Sequence, residues 1–259
     1  MPVTWVDIAV NLSNHQFADD VADVIARAKQ ADVHDMLLVG CDEDSSRAAL
    51  EFAQQYQLHC TAGVHPHDAK SVSEHYLDVL ESLLKAPQCL AVGECGLDFN
   101  RDFSPRPVQQ QVLSEQLALA EKLDLPVYLH DRDASETLLA ILKEHNVRGV
   151  LHCFTGDQHA LERYLDLGLY IGITGWVCDE RRGQALQAQV PLIPDDRILL
   201  ETDAPFLIPR TLTPKPKSRR NEPAYLIEVA KQVALLKNIS LDDLKTQCYD
   251  NFVKLFGVA

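Results

Sequence analysis

Short apolar runs alternate with longer stretches in which apolar residues recur at i, i+3 and i+4, almost from one end of the 259-residue chain to the other. The runs at 5–10, 36–39, 59–64, 90–93, 127–129, 149–151, 169–173 and 198–200 predict eight strands. The amphipathic stretches at 19–31, 45–56, 74–84, 106–123, 134–144 and 160–166 predict helices of the length a crossover needs, and 182–189 a shorter seventh that leads into a proline-bearing turn at 191–194. A long polar loop, 203–221, follows the eighth run, and two more helices are expected over 223–237 and 241–256. Ser240 is placed to cap the last of these, with Asp243 where it favours the positive end of the helix dipole. Strand–helix alternation without a composition shift or flexible linker predicts an α/β fold, one TIM (β/α)8 barrel over residues 1–259, a fold that typically takes about 250 residues.

Composition narrows this little: 46% hydrophobic and 24% charged residues suit a globular chain with a large core and argue against disorder. No run approaches the ~18 consecutive apolar residues of a membrane span, and the start lacks a basic segment followed by an apolar one, so a cytoplasmic protein with no membrane partner is expected. The seven cysteines (41, 60, 89, 95, 153, 178 and 248) are odd in number and contain no C-x-x-C pair. Neither a disulfide framework nor a zinc knuckle fits, and reduced, mostly buried thiols are expected.

Histidines and carboxylates recur where the apolar runs end, as in Gly-Val-His65-Pro-His67, Gly-Glu94-Cys-Gly-Leu-Asp98, Tyr-Leu-His130-Asp131, Leu-His152-Cys-Phe and Leu-Leu-Glu201-Thr-Asp203. Parallel strands whose C-terminal ends face one way would bring such donors to one point, as metal chemistry requires. Glu94 stands between two glycines that would let backbone approach a ligand closely. One histidine at a strand end is commonly a hydrogen-bonded core residue; His130 and His152 on consecutive strands, with Glu94 and Asp203 on others, point instead to metal ligation or base chemistry. Alternation along the eighth strand would let Glu201 and Asp203 face the same way, with Asp203 further toward the mouth and so the better ligand or base. Pro66 limits where the His65 imidazole points, and His65 reads as a contact to substrate phosphate or to a metal-bound water.

A net charge of −14 argues against a high-affinity, sequence-independent DNA binder. The cations are nevertheless concentrated: Arg210, Lys215, Lys217, Arg219 and Arg220 fall within eleven residues, and Arg181 and Arg182 form a second pair. A solvated surface loop is the plain alternative, but the loop after the last strand is also where barrels often hold phosphates. Trp176 stands in an open-loop setting beside the Arg181–Arg182 pair, where it can stack on a base.

Taken in order, the motifs around His65, Glu94, His130, His152, Trp176 and Asp203 closely resemble those of the TatD-type metal-dependent deoxyribonucleases, over Asp7 to about Phe256. The resemblance implies a TIM barrel of the metal-dependent hydrolase type and a divalent-cation-dependent 3′→5′ exonuclease on single-stranded DNA, with RNA an open alternative and a role in DNA repair or degradation. It also implies that Glu94, His130, His152 and Asp203 are metal ligands, with Glu94 and Asp203 catalytic. It makes His65 a substrate contact, and the chain's own loop and charge pattern adds Asn11, Trp176, Arg181, Arg182, Lys215, Lys217, Arg219 and Arg220 as expected substrate contacts.

One departure stands out: relatives carry Asp-x-His-x-His at the end of the first strand, and here Ala9 and Asn11 occupy those histidine positions. The oxygen-richer site that remains suits Mg²⁺ first, then Mn²⁺, ahead of Zn²⁺. A monomer is the expected state. A barrel amidohydrolase for a small amide, ester or lactone and a non-catalytic binding or quality-control protein are the alternatives. The basic loop argues against the first, and retention of Glu94, His130, His152 and Asp203 together against the second.

Overall fold

The computed structural model describes residues 3–258. Its strands are β1 (Trp5–Val10), β2 (Val33–Leu38), β3 (His59–Ala62), β4 (Cys89–Asp98), β5 (Val127–Arg132), β6 (Gly149–Leu151), β7 (Tyr170–Ile173) and β8 (Ile198–Leu200), and they follow one another in a single sheet in the order β1 to β8. Between and after them lie α1 (Val21–Gln30), α2 (Glu43–Tyr56), α3 (Tyr76–Leu83), α4 (Arg106–Leu123), α5 (Ser135–Leu142), α6 (Gln158–Asp166), α7 (Gln184–Gln189), α8 (Leu226–Lys237) and α9 (Leu241–Phe256). This is the TIM-barrel class that the alternation predicts. Contacts gather into two compact units, one of Leu38–Tyr170 and one of the chain up to Leu37 together with the chain from Ile171 onward.

In the unit of Leu38–Tyr170, β3 to β6 pair in parallel, and the register of β4 on β5 shifts between Val92 and Cys95. The expected strand at 90–93 therefore runs on through Glu94 to Asp98, and that at 127–129 through His130 to Arg132. Apolar density falls off at these strand ends while backbone pairing continues, so hydrophobicity alone truncates both. Local chemistry sets the helix starts. The Asp42 carboxylate accepts from Ser45 N at 2.6 Å and Ser45 Oγ accepts from Asp42 N, a capping box that starts α2 two residues before 45. Asp157 likewise caps α6 through Ala160 N at 2.8 Å.

In the other unit, β7 and β8 pair in parallel, and Val10 bridges to Ala204 in the same sense. Ser240 caps α9, as expected, by accepting from Asp243 N at 3.1 Å. Ile8, Phe17, Met36 and Phe252 are fully buried or nearly so. Asp7 is also wholly buried, its Oδ1 accepting from Ala9 N and Thr202 N and its Oδ2 lying 2.5 Å from Thr202 Oγ1.

Burial, aided by the nearby Glu201, outweighs those hydrogen bonds and pushes the Asp7 carboxyl up to about 8. The folded protein then keeps a proton that the unfolded chain releases above about pH 3.9, so Asp7's contribution to stability is complete below that pH and is lost as pH rises through about 8. Asp7→Asn, which mimics the protonated acid, is expected to remove a slope of at most about 1.4 kcal/mol per pH unit. Denaturant titrations of both proteins from pH 5 to 8 check this; parallel stability curves would show that Asp7 is ionised in the fold.

Candidate active site

Glu94 is the centre of the chemistry in the unit of Leu38–Tyr170. Strand pairing buries it in β4, where its backbone N–H donates to Gly40 O at 2.7 Å. Three imidazoles converge on its Oε1: His152 Nε2 at 2.9 Å, His130 Nδ1 at 3.0 Å and His65 Nε2 at 3.4 Å. Cys41 Sγ lies 3.6 Å from Oε2. The sequence-predicted trio Glu94, His130 and His152 is thus brought together, with His65 as a fourth member.

Each imidazole is aimed by its own backbone setting. His152 follows β6, its N–H donates to Leu129 O at 2.9 Å, and its ring stacks on Tyr128 of β5 with centroids 5.0 Å apart. His65 leaves β3, its N–H bonded to Cys41 O at 2.7 Å. Its Nδ1 accepts from His67 N at 3.1 Å, which leaves the ring proton on Nε2 and makes that nitrogen a donor toward carboxylate or phosphate oxygen. His130 lies inside β5; its Nε2 is buried and, among the described residues, has no hydrogen-bond partner.

Electrostatics keep the Glu94 carboxylate ionised among the imidazoles. Burial would push the Glu94 carboxyl up, but the fields of His152 and His65 and the hydrogen bonds from His130 and His152 hold it well below its ordinary value. Burial pulls His65 down to about 3, with His130, His67 and His152 adding to the shift and Glu94 opposing it, so the ring is neutral at pH 7. Burial also pulls His130 down, yet the Asp98 and Glu94 carboxylates prevail and its pKa is raised.

A divalent cation fits these residues. Ligand atoms of His65, Glu94 and His130 lie within 4.8 Å of one another, the carboxylate is ionised, and the buried Nε2 of His130 makes no hydrogen bond among the described residues, so the donor set is one a divalent cation can use.

Asp98 and His67 complete this neighbourhood, and the sequence reading assigned a role to neither. His67 Nε2 lies 2.6 Å from Asp98 Oδ2, and His130 Nε2 lies 3.8 Å from the same oxygen, too long for a hydrogen bond but close enough to be felt. Burial would raise Asp98, but His130, Arg101 N and His67 hold it well below its usual range. The signal was available: 94, 96 and 98 share one face of a strand, once the strand is known to continue that far.

In the unit that contains β1 and β8, the structure brings Asn11 and Asp203 together. Asn11 Nδ2 donates to Asp203 Oδ1 and to Ala204 O, each at 3.4 Å, and its backbone N–H donates to Ala204 O at 2.8 Å. Asn11 is thus engaged in holding the turn at Asp203. The expected alternation does not reach 203: β8 ends at Leu200, Asp203 sits at φ 56°, and Glu201 is fully buried against Gly172. Ala9 is buried and offers no ligand atom.

The predicted basic residues separate into two kinds. Arg220 bonds to both oxygens of Asp20 at 2.7 and 2.8 Å, to Glu222 at 2.8 Å and to Gln16 O at 2.7 Å, over the Phe17 ring. Arg27 binds the same two carboxylates, so Arg220 fastens its loop to α1 and its donors are occupied within the fold. Arg182 pairs with Asp179 at 3.2 Å, and the exposed Arg181 lies 3.5 Å from Glu180. Lys215, Lys217 and Arg219 have no acidic partner among the described residues. Trp176 is half-buried after β7, with the Arg182 guanidinium 4.8 Å from its ring centroid.

A family described as TatD related DNase matches residues 6–257. A protein of Klebsiella pneumoniae named 3′-5′ ssDNA/RNA exonuclease TatD is 50% identical over 256 residues, covering 97% of each chain. Its namesake from Edwardsiella piscicida is 49% identical over 259 residues, 98% of this chain and all of the other. Among solved structures, a TatD homologue from Escherichia coli K12 is 29% identical with a TM-score of 0.91 over the full length of both chains. A TatD-family hydrolase from Entamoeba histolytica is 27% identical with a TM-score of 0.90 over 99% of each.

Proposed function

The chain belongs to the TatD-related DNase family, and from that membership we propose that it is a divalent-metal-dependent exonuclease removing nucleotides 3′→5′ from single-stranded DNA and RNA. The observation that carries the reading is the convergence of His65, His130 and His152 on one oxygen of a buried, ionised Glu94. We take the site of action to be the cytoplasm, the working form to be a monomer and the pathway to be DNA repair or degradation; no helix among the described residues is long and apolar enough to cross a membrane.

In this reading Glu94, His130 and His152 hold the cation, with Asp203 as the further ligand that the sequence assigns. When bound, the cation supplies Lewis acidity toward the phosphodiester and lowers the pKa of the attacking water. His65, neutral and with its proton on Nε2, donates to a phosphate oxygen as charge develops there. Asp203, held by Asn11, orients or deprotonates the water. Water oxygen bonds to phosphorus, the P–O3′ bond breaks, and the departing O3′ takes a proton. Mg²⁺ is the ion we propose, with Mn²⁺ next, because the carboxylates of Glu94 and Asp203 and the water of the site suit these two ions ahead of Zn²⁺.

Digestion of a 5′-labelled single-stranded oligonucleotide, with EDTA or with Mg²⁺, Mn²⁺ or Zn²⁺ restored, tests the proposal. The expected result is a ladder shortening from the 3′ end, lost on chelation and regained with Mg²⁺. An uncut strand under every metal would return the amidohydrolase and the non-catalytic readings.

A further inference from the structure

The turn after β7 and the loop after β8 enclose a cavity of about 670 Å³, whose wall includes Trp176, Asp179, Arg182, Arg210, Lys215 and Arg219. We propose that this cavity is a nucleotide subsite: one base of the single strand stacks on the Trp176–Arg182 pair, and the adjoining phosphates rest on Lys215 and Arg219. The assignment rests on the nucleic-acid reading above.

Charge is the first argument. In a chain of net charge −14, cations are normally neutralised within the fold, as Arg210 is by Glu180 at 3.2 Å and Arg182 by Asp179. Lys215 and Arg219 escape that fate among the described residues, and both face the same cavity as an indole. Two cations without acidic partners, lining the same cavity as an aromatic ring, make the combination that single strands bind: backbone charge countered and a base face covered.

The second argument is that the stacking surface is built in advance. Asp179 Oδ1 accepts from Arg181 N and Arg182 N at 2.9 and 3.1 Å, and these bonds hold its carboxyl below the ordinary value. The ionised Asp179 then binds Arg182 Nε at 3.2 Å, which sets the guanidinium 4.8 Å from the Trp176 centroid. A side chain at Gly175 would meet Leu207 O at 2.2 Å, so the turn carrying Trp176 lies directly against the loop carrying the cations.

The third argument concerns what the wall lacks. It contains no histidine, and its one carboxylate, Asp179, is tied to backbone and to Arg182. A nucleotide bound here is held, not hydrolysed, and the subsite makes affinity depend on strand length and salt.

Intrinsic fluorescence gives a direct readout, because of the two tryptophans Trp5 is only 5% exposed. Metal-loaded protein is titrated with a nuclease-resistant phosphorothioate 12-mer. Saturable quenching of Trp176 is expected in the wild type, and Kd read from the anisotropy of the same 12-mer carrying a 5′-fluorescein should rise about tenfold in Trp176→Ala and be largely restored in Trp176→Phe. Lys215→Ala with Arg219→Ala should raise Kd about tenfold and flatten the dependence of log K on log salt by about 1.4. Unchanged wild-type emission, with the anisotropy Kd within twofold in all variants, overturns the subsite. Shortening of an ordinary oligonucleotide without any quenching overturns it while leaving the exonuclease intact. Quenching and a charge-dependent Kd without metal-dependent shortening uphold the subsite and overturn the exonuclease.

Discussion

Glu94→Gln is expected to lower kcat/KM on a single-stranded oligonucleotide by about 10³-fold or more, roughly 4 kcal/mol of transition-state stabilisation, while leaving the fold in place. The amide keeps the shape of the side chain and removes the charge on which His152, His130 and His65 converge. Metal affinity should fall with it, because a neutral amide oxygen replaces the one ionised ligand of the cluster. The cost to folding is small for two reasons: an amide is easier to bury than a carboxylate, and His130, relieved of one carboxylate that raises its pKa, can stay neutral. Raising the pH should not rescue the variant, since in the wild type Glu94 is already ionised throughout the working range. Calorimetric Mn²⁺ titration, single-turnover cleavage and a melting curve on the same preparation separate the effects. Cleavage within tenfold of wild type at saturating Mg²⁺ or Mn²⁺ would remove Glu94 from the mechanism.

The residues that make this cluster were legible because each closes a recognisable apolar run. β1, β6 and β8, and likewise α4 and α9, begin and end where periodicity places them. Periodicity has no access to contacts that depend on register. The extension of β4 to Asp98 rests on pairing with β5, and α2 starts early because Asp42 and Ser45 cap each other. Arg220 and Lys215 look alike in a basic loop, yet one is bound by Asp20, two hundred residues away in sequence, and by the adjacent Glu222, and the other has no acidic partner among the described residues. That distinction exists only in three dimensions. Asn11 stands where relatives have an imidazole, and its amide donates toward Asp203, so the altered first-strand motif helps to hold the carboxylate that follows the last strand.

The glycines beside Glu94 show the same limit and support the second large prediction. Their spacing suggested room for a ligand, but the neighbour they admit is β5. A Cβ on Gly93 would lie 2.3 Å from Tyr128 O, and one on Gly96, at φ +150°, would lie 2.0 Å from His130 O. Gly96 is directly paired with His130, so the clash is backbone against backbone and no side-chain rotation relieves it. Gly96→Ala must either break the β4–β5 ladder there or push His130 aside, and a loss of about 4 kcal/mol is expected. In a chain of this length that corresponds to a fall in melting temperature of roughly 10 °C. Gly168→Ala is the matched control: Gly168 also has a positive φ, +78°, but its Cβ would meet nothing within 4 Å, so only the conformational cost of about 1 kcal/mol remains. If Gly96→Ala proves no less stable than Gly168→Ala, strand contact is not the reason for glycine at 96. If the gap is as large as expected, protein that remains folded should also cleave poorly, because the carbonyl that must give way belongs to His130 itself.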